Sequence, residues 1–472
     1  MALYHSMKSA IIGQVKKSKN YYRGCGSTDI RKEGTVYDLP IALGLLSAQG
    51  LIPATVLDKH LIAGELSLDG AVRPIKGALA MAMLARQMGL YGFILPVDNA
   101  NEAAVVDGIR IFPVKSLTEA NAFLNGQLEI PPHKVDIEQI FSSHHRIDSI
   151  DFSDVKGQEH VKRALEIAAA GGHNVLLIGP PGTGKTMLSK RLSTILPDMT
   201  LEEAIEATKI HSIAGLLGKG QALAVTRPFR APHHTITNAG LIGGGNIPRP
   251  GEVSLAHNGV LFLDELTEFD RRTLEVMRQP LEDGTVTISR STMSLTFPAR
   301  FLLVASMNSC KCGFLGHPTK PCRCTSWEIR KYLSSISGPL LDRIDLHIEV
   351  PALESRDLIA KAQGEGSAEI RKRVNQARKI QEARYHVGAG GDGIFCNAQL
   401  NSRQMKKYCA LDEESSKLIE MAINNLGFSA RAYDRILKVA RTIADLDGEE
   451  GIRSNHVAEA IQYRSLDREY WR

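Results

Sequence analysis

Eight consecutive residues, Gly179, Pro180, Pro181, Gly182, Thr183, Gly184, Lys185 and Thr186, fit the spacing G-x4-G-K-[ST]. Glycines at this spacing let successive backbone N–H groups curl around phosphate oxygens, and a helix starting at Lys185 adds the positive end of its dipole. Lys185 is then placed to reach the β- and γ-phosphates and Thr186 to hold magnesium. ATP and Mg2+ are the expected ligands. Hydrolysis needs a carboxylate for the metal and another for water. Both follow an apolar run in VLFLDE, with Asp264 beside the metal and Glu265 polarising the attacking water. A third apolar run, 301–307, ends at Asn308, whose amide could orient the same water. The plain alternatives are a glycine turn, two carboxylates capping a strand and a turn asparagine. Finding all three at the ends of apolar runs favours the catalytic reading.

Other residue types suggest accessory chemistry. Arg343 in GPLLDRIDL lies beyond the apolar runs, where a subunit interface could present it to a neighbour's γ-phosphate. Arg431 in GFSARAYDRI opens a helix from which it could sense nucleotide, although an isolated arginine is more often a solvated surface group. Cys310, Cys312, Cys322 and Cys324 form two C-x-C pairs across a nine-residue loop rich in turn formers. Four thiolates so placed could close a tetrahedral zinc site with His317 as a spare ligand; the alternative is a group of thiols in a mobile loop. Two loops are basic. Residues 211–250 carry Lys219, Arg227, Arg230 and Arg249, and 285–297 alternates as a hairpin with Arg290 at its turn. Such residues bind DNA phosphates without sequence preference, or are ordinary surface charge. The neighbouring His233 and His234 seldom could converge on one ion.

The chain must supply elements to position these groups. Its 472 residues suggest two or three domains, and 43% hydrophobic with 23% charged residues is ordinary for a soluble globular protein. A net charge of +5 permits a nucleic-acid partner without demanding one. No apolar run is long enough to span a bilayer and the amino terminus lacks a secretory apolar core, so the expected location is cytoplasmic, with no membrane. Of seven cysteines, four fall within fifteen residues, which in a reducing compartment favours metal over disulfides. Residues 1–127 alternate short apolar runs with Gly and Asp turns and contain one strongly helical stretch, 76–88. Residues 128–150, with Pro131 and Pro132, read as a linker. Residues 151–350 alternate helix with buried strand, the pattern of an α/β P-loop core with a parallel sheet, and 351–472 is mainly amphipathic helix, expected to form a lid.

The segments DVKGQEHVKRALEIAAAGGHNVLLIGPPGTGKTML, RPFRAPHHTIT, PRPGEVSLAHNGVLFLDEL, ISGPLLDRIDLHIEVP and SARAYDRILKVARTIADL resemble, in that order, those of AAA+ ATPases of the magnesium-chelatase branch, most closely the ComM/YifB family. The resemblance implies an AAA+ core with a helical C-terminal lid, assembled as a hexameric ring that hydrolyses ATP between subunits. It also implies a DNA helicase promoting branch migration during recombination of incoming single strands. Asn308 becomes the first sensor, Arg343 a finger acting in trans and Arg431 the second sensor; the insertion at 211–250 enters the pore.

The first domain, with DIRKEGTVYDLPIALGLL and ELSLDGAVRPIKGAL, is similar to the α+β proteolytic domain of Lon proteases. Lys32-Glu33-Gly34-Thr35 then puts Val36 at the serine position, and Pro74-Ile75-Lys76-Gly77 puts Met81 at the lysine position. Neither residue can serve a Ser-Lys dyad, so the domain is expected to assist assembly or docking rather than peptide cleavage. The residues ahead of Asp29 are fewer than the ComM/YifB family carries and match that family poorly, so truncation or alteration there is expected. Two rival functions keep the ATPase: a chelatase-type motor for metal insertion into a tetrapyrrole, and a factor that remodels proteins.

Overall fold

The computed structural model describes residues 35–143, 150–290, 294–352, 364–385 and 394–466. The amino-terminal segment, with Lys32, Glu33 and Gly34, lies outside them.

The first domain is built on three parallel strands, β1 (His60–Ile62), β2 (Gly92–Pro96) and β3 (Arg110–Val114), in that spatial order. Helices α1 (Asp38–Ala48), α2 (Ala78–Gln87) and α3 (Leu117–Leu124) accompany the sheet. The middle strand is buried along its whole length, which explains the uninterrupted run GFILP. Val36 and Met81 both pack against the cluster of Ala63, Ile75, Leu79 and Phe93, so apolar side chains occupy the two positions compared with a dyad.

The segment read as a linker is partly built into this domain. His133 N–H donates to the Ile111 carbonyl at 2.8 Å, and α4 (Ile137–Ser143) lays Ile137, Ile140 and Phe141 on the same cluster. Those three residues make an i, i+3, i+4 stripe, but one too short to stand out as periodicity. The domain also grips the core: Ser212 Oγ donates to buried Glu102, and Asn101 Nδ2 donates to the Gly220 carbonyl at 2.8 Å.

The core is a five-stranded parallel sheet of β4 (Val175–Ile178), β5 (Phe229–Arg230), β6 (Val260–Leu263), β9 (Leu302–Met307) and β10 (Leu346–Glu349), in the order β10-β4-β9-β6-β5. Between β6 and β9 the chain forms the expected hairpin, β7 (Thr285–Ser289) with β8 (Ser294–Pro298). Alternate residues of one strand serve two cores: Val175 and Leu177 face one cluster, Leu176 and Ile178 the other. Burial on both faces is why these strands read as continuous apolar runs.

On the first face, α5 (Glu159–Gly171) and α6 (Lys185–Ile195) contribute Leu165 and Leu192. Helices α7 (Leu201–Ala214), α8 (Arg278–Asp283) and α9 (Ser326–Leu333) complete the core region. The C-terminal helices α10 (Ser367–Tyr385), α11 (Glu413–Leu426), α12 (Ala430–Leu446) and α13 (Ser454–Gln462) follow. They share the first cluster: Ile370 and Val374 of α10, and Ile436, Val439 and Ile443 of α12, pack with Leu165 and Leu192. Among the described residues no helix is long and apolar enough to cross a membrane.

Candidate active site

The phosphate loop joins the end of β4 to the start of α6, and Gly184 has φ +87°, a conformation that favours glycine immediately before Lys185. Thr183 Oγ1 donates to the Pro180 carbonyl at 3.1 Å, and Gln158 Nε2 donates to the Thr183 carbonyl at 3.1 Å, so the loop is held from inside and outside. Lys185 Nζ donates to the Gly179 and Pro180 carbonyls at 2.7 Å each and to Asn308 Oδ1 at 3.3 Å. Burial pushes its ammonium down to about 8, with the nearby Asp264 and Glu265 carboxylates opposing the shift.

Thr186 Oγ1 donates to Asp264 Oδ2 at 2.8 Å, bringing together the hydroxyl and carboxylate read as magnesium ligands. That pair, facing a lysine whose hydrogen bonds go to loop carbonyls and an amide, fits a magnesium–triphosphate. Ser306 Oγ donates to the other Asp264 oxygen, which aims the carboxylate. Sequence reasoning passed over Ser306. It follows from strand register, because Leu263 pairs with Ala305 and the next residues are therefore Asp264 and Ser306.

Glu265 sits in the left-handed region at φ 54°, a backbone conformation costing a non-glycine residue roughly 1–3 kcal/mol and concentrated at functional sites. Its side chain is 61% exposed, and His234 Nδ1 of the long insertion lies 3.9 Å from its Oε2. The His234 and His233 rings pack tilted by 34°, with centroids 4.1 Å apart. This approach of the insertion to the Glu265 carboxylate had no sequence signal beyond the histidine pair itself.

Arg343 and Arg431 lie elsewhere. Asp345 N–H and Leu346 N–H donate to the Asn174 carbonyl at 3.0 Å, which puts the chain just before β10 beside the amino end of β4. The phosphate loop leaves the opposite end, four strand residues or about 13 Å away. At the amino end, Arg343 donates to Glu282 of α8 and to the Pro339 carbonyl at 2.7 Å. Arg431 lies 3.5 Å from Asp342, and Arg435 lies 2.9 Å from buried Asp345. The hydrogen bond from Arg343, then its charge and those of Arg431 and Arg435, hold the Glu282 carboxyl below its ordinary range. Burial alone would raise Asp345, but Arg435, His173 and Lys438 outweigh it and keep it low. Arg431 therefore contacts the far end of its own sheet rather than its own phosphate loop.

The four cysteines converge. Cys310 Sγ is 3.4 Å from Cys312 Sγ and 3.6 Å from Cys322 Sγ, and all four sulfurs lie within 4.8 Å of one another. Four thiolates at the zinc–sulfur distance would sit about 3.8 Å apart, so the donor set and spacing fit a tetrahedral ion. Backbone N–H groups of Arg323 and Phe314 pull the Cys312 thiol down to about 6. His317 stays out of the group, its Nδ1 accepting from the N–H groups of Thr319 and Lys320 at 3.1 Å each.

Of the insertion's cations, Arg227 is committed to Glu203 at 2.7 Å and Arg230 to Glu252 at 2.6 and 2.8 Å. Arg230, expected to contact DNA, holds the Glu252 carboxylate in its fork while its side chain stays 33% exposed. Lys219, Arg249 and Arg290 remain exposed. Arg290 Nε donates to the Gly245 carbonyl at 3.1 Å, joining the hairpin to the insertion.

A parallel sheet with a phosphate loop after one strand, Asp264–Glu265 after a second and Asn308 after the strand between them defines an AAA+ P-loop ATPase. Residues 151–358 match the family described as magnesium chelatase, subunit ChlI, and 364–464 match its C-terminal part. Residues 24–99 match subunit ChlI of Mg-chelatase. The competence protein ComM of Haemophilus influenzae is 45% identical over 442 residues, 93% of this chain and 84% of that protein. The Escherichia coli protein YifB is 43% identical, covering 98% of this chain and 88% of its own length. The magnesium-chelatase 38 kDa subunit of Rhodobacter capsulatus is 26% identical over 65% of this chain and 84% of its own. The chain belongs to the ComM/YifB family of magnesium-chelatase-like proteins and is an ATPase of that family.

Proposed function

We propose that this ATPase is a cytoplasmic hexameric motor that moves DNA, promoting branch migration in homologous recombination and natural transformation. The observation that carries the reading is the contact between Arg290 and Gly245, which makes the hairpin and the insertion one basic unit. That unit reaches the hydrolytic site through His234, 3.9 Å from Glu265. Lys219, Arg249 and Arg290 offer it phosphate contacts, while Arg230 shapes the loop through Glu252.

Lys185 exchanges its carbonyl partners for ATP phosphates, Thr186 and Asp264 hold magnesium, Glu265 takes the proton of the attacking water and Asn308 orients that water. Magnesium, when bound, neutralises charge on the phosphates. Arg343 and Arg431, gathered at the far end of the sheet, serve the neighbouring subunit's nucleotide. The cysteine cluster holds one zinc ion. The first domain docks the insertion through Glu102 and Asn101 and cleaves no peptides, since Val36 and Met81 bring no nucleophile or base.

The test is displacement of a labelled strand from a branched DNA by the assembled protein. Displacement that requires hydrolysable ATP supports the reading; none, despite active hydrolysis, would favour a chelatase-type or protein-remodelling motor.

A further inference from the structure

One continuous segment touches the phosphate loop twice. At its start, Asn308 Oδ1 accepts from Lys185 Nζ at 3.3 Å. At its end, Gly313 N–H donates to the Cys310 carbonyl at 2.9 Å, and this turn lies directly on Pro181. A Cβ on Gly313 would come within 2.7 Å of Pro181 Cδ, and Gly313 has φ +83°, so both space and backbone call for glycine. Between the two contacts stands Cys310, fully buried, and next to Gly313 stands Cys312.

The second cysteine pair roots the other end. Cys324 runs into Thr325, which caps α9 by accepting from Glu328 N–H, and Tyr332 Oη of that helix accepts from Thr267 Oγ1 at 2.9 Å. The thiols thus tie a turn resting on the phosphate loop to a helix anchored in the core.

We propose that a zinc ion on Cys310, Cys312, Cys322 and Cys324 clamps the phosphate loop through Gly313 and Asn308, so that metal occupancy sets ATP affinity. The proposal rests on the zinc reading of the cluster. Without the metal, the weak S–H and N–H hydrogen bonds among these sulfurs are all that holds them together, and ionised thiolates this close repel. Their separation frees the turn carrying Gly313 and lets Asn308 and Pro181 drift from the positions that shape the loop.

The full chain should be assayed for zinc by elemental analysis. ATP binding is then measured with a fluorescent nucleotide before stripping the metal, after stripping and after re-addition of zinc. The expected result is about one zinc per chain, a loss of ATP affinity of at least about tenfold on stripping, and recovery with zinc. Because cysteine variants can fail to fold, Gly313→Ala provides a second arm: it should retain zinc yet bind ATP more weakly. ATP affinity within about twofold of the original, in both the stripped protein and zinc-loaded Gly313→Ala, overturns the clamp and leaves the zinc reading standing. A chain that neither contains nor takes up zinc overturns both.

Discussion

The Arg343 guanidinium is buried against the Glu282 carboxylate of its own chain, its side chain only 9% exposed while that of Glu282 is 60% exposed. The pair stands at the amino end of the sheet, beside Asp342 and Arg431, whereas Lys185 stands at the carboxyl end. The phosphate loop and the two arginines thus lie at opposite ends of the sheet, and in the proposed ring Arg343 would have to leave Glu282 to reach a neighbour's nucleotide.

Complementation follows from that separation. Arg343→Ala and Lys185→Ala proteins should each be inactive, while an equimolar mixture should regain hydrolysis at about one quarter of its interfaces, where one copy brings Lys185 and the next brings Arg343. Steady-state phosphate release from mixed rings, with subunit exchange verified by labelled copies, measures it. Mixed rings that stay inactive would remove Arg343 from a role in trans.

Glu265 has a narrower task. Glu265→Gln keeps the backbone bonds to Asp264 and Ser306 and the Lys185 contacts, so nucleotide binding should persist while turnover falls by roughly 10²- to 10⁴-fold. Binding and single-turnover measurements on one preparation distinguish this from a loss of affinity. Turnover at the original rate would exclude Glu265 as the base.

The Lys185 ammonium, lowered to about 8 by burial, should make nucleotide affinity depend on pH. ATP phosphates favour the protonated form, so affinity should be steady below about 8 and fall as pH rises above it, becoming about tenfold weaker at pH 9 than at pH 7. Titrations across that range check the sign; affinity that is level, or rises with pH, contradicts it.

The parts of this site that were legible in the sequence are those set by local pattern. The phosphate loop is contiguous, and strands buried on both faces, such as Val175–Ile178 and Val260–Leu263, show as unbroken apolar runs. Ser306 was not legible because its partner Asp264 lies on a neighbouring strand, and only sheet order and register bring them together. The Arg343–Glu282 pair joins residues 61 positions apart, and the Arg230–Glu252 pair 22 apart, beyond the reach of helical or strand spacing. The short helix Ile137–Ser143 carries too few turns to display a period, so its segment looked like a linker.

Arg290 and Arg230 should behave differently on substitution. Arg290→Ala removes an exposed cation and should reduce the salt dependence of DNA binding by about one unit of logarithmic slope. Arg230→Ala leaves Glu252 without its bidentate partner, and should lower thermal stability while leaving that slope unchanged. Filter-binding or fluorescence titrations at several salt concentrations, beside melting curves, separate the two. Equal slope changes would return Arg230 to the DNA surface.

The central claim, that this ATPase is driven by DNA, is tested most directly by steady-state ATP hydrolysis of the assembled protein with and without single-stranded and branched DNA over a salt series. The account predicts that DNA raises the rate at low salt, that the stimulation fades as salt increases, and that Arg290→Ala weakens the stimulation while basal turnover holds. A rate indifferent to every DNA form at low salt, in a preparation shown to be assembled and active, would contradict it.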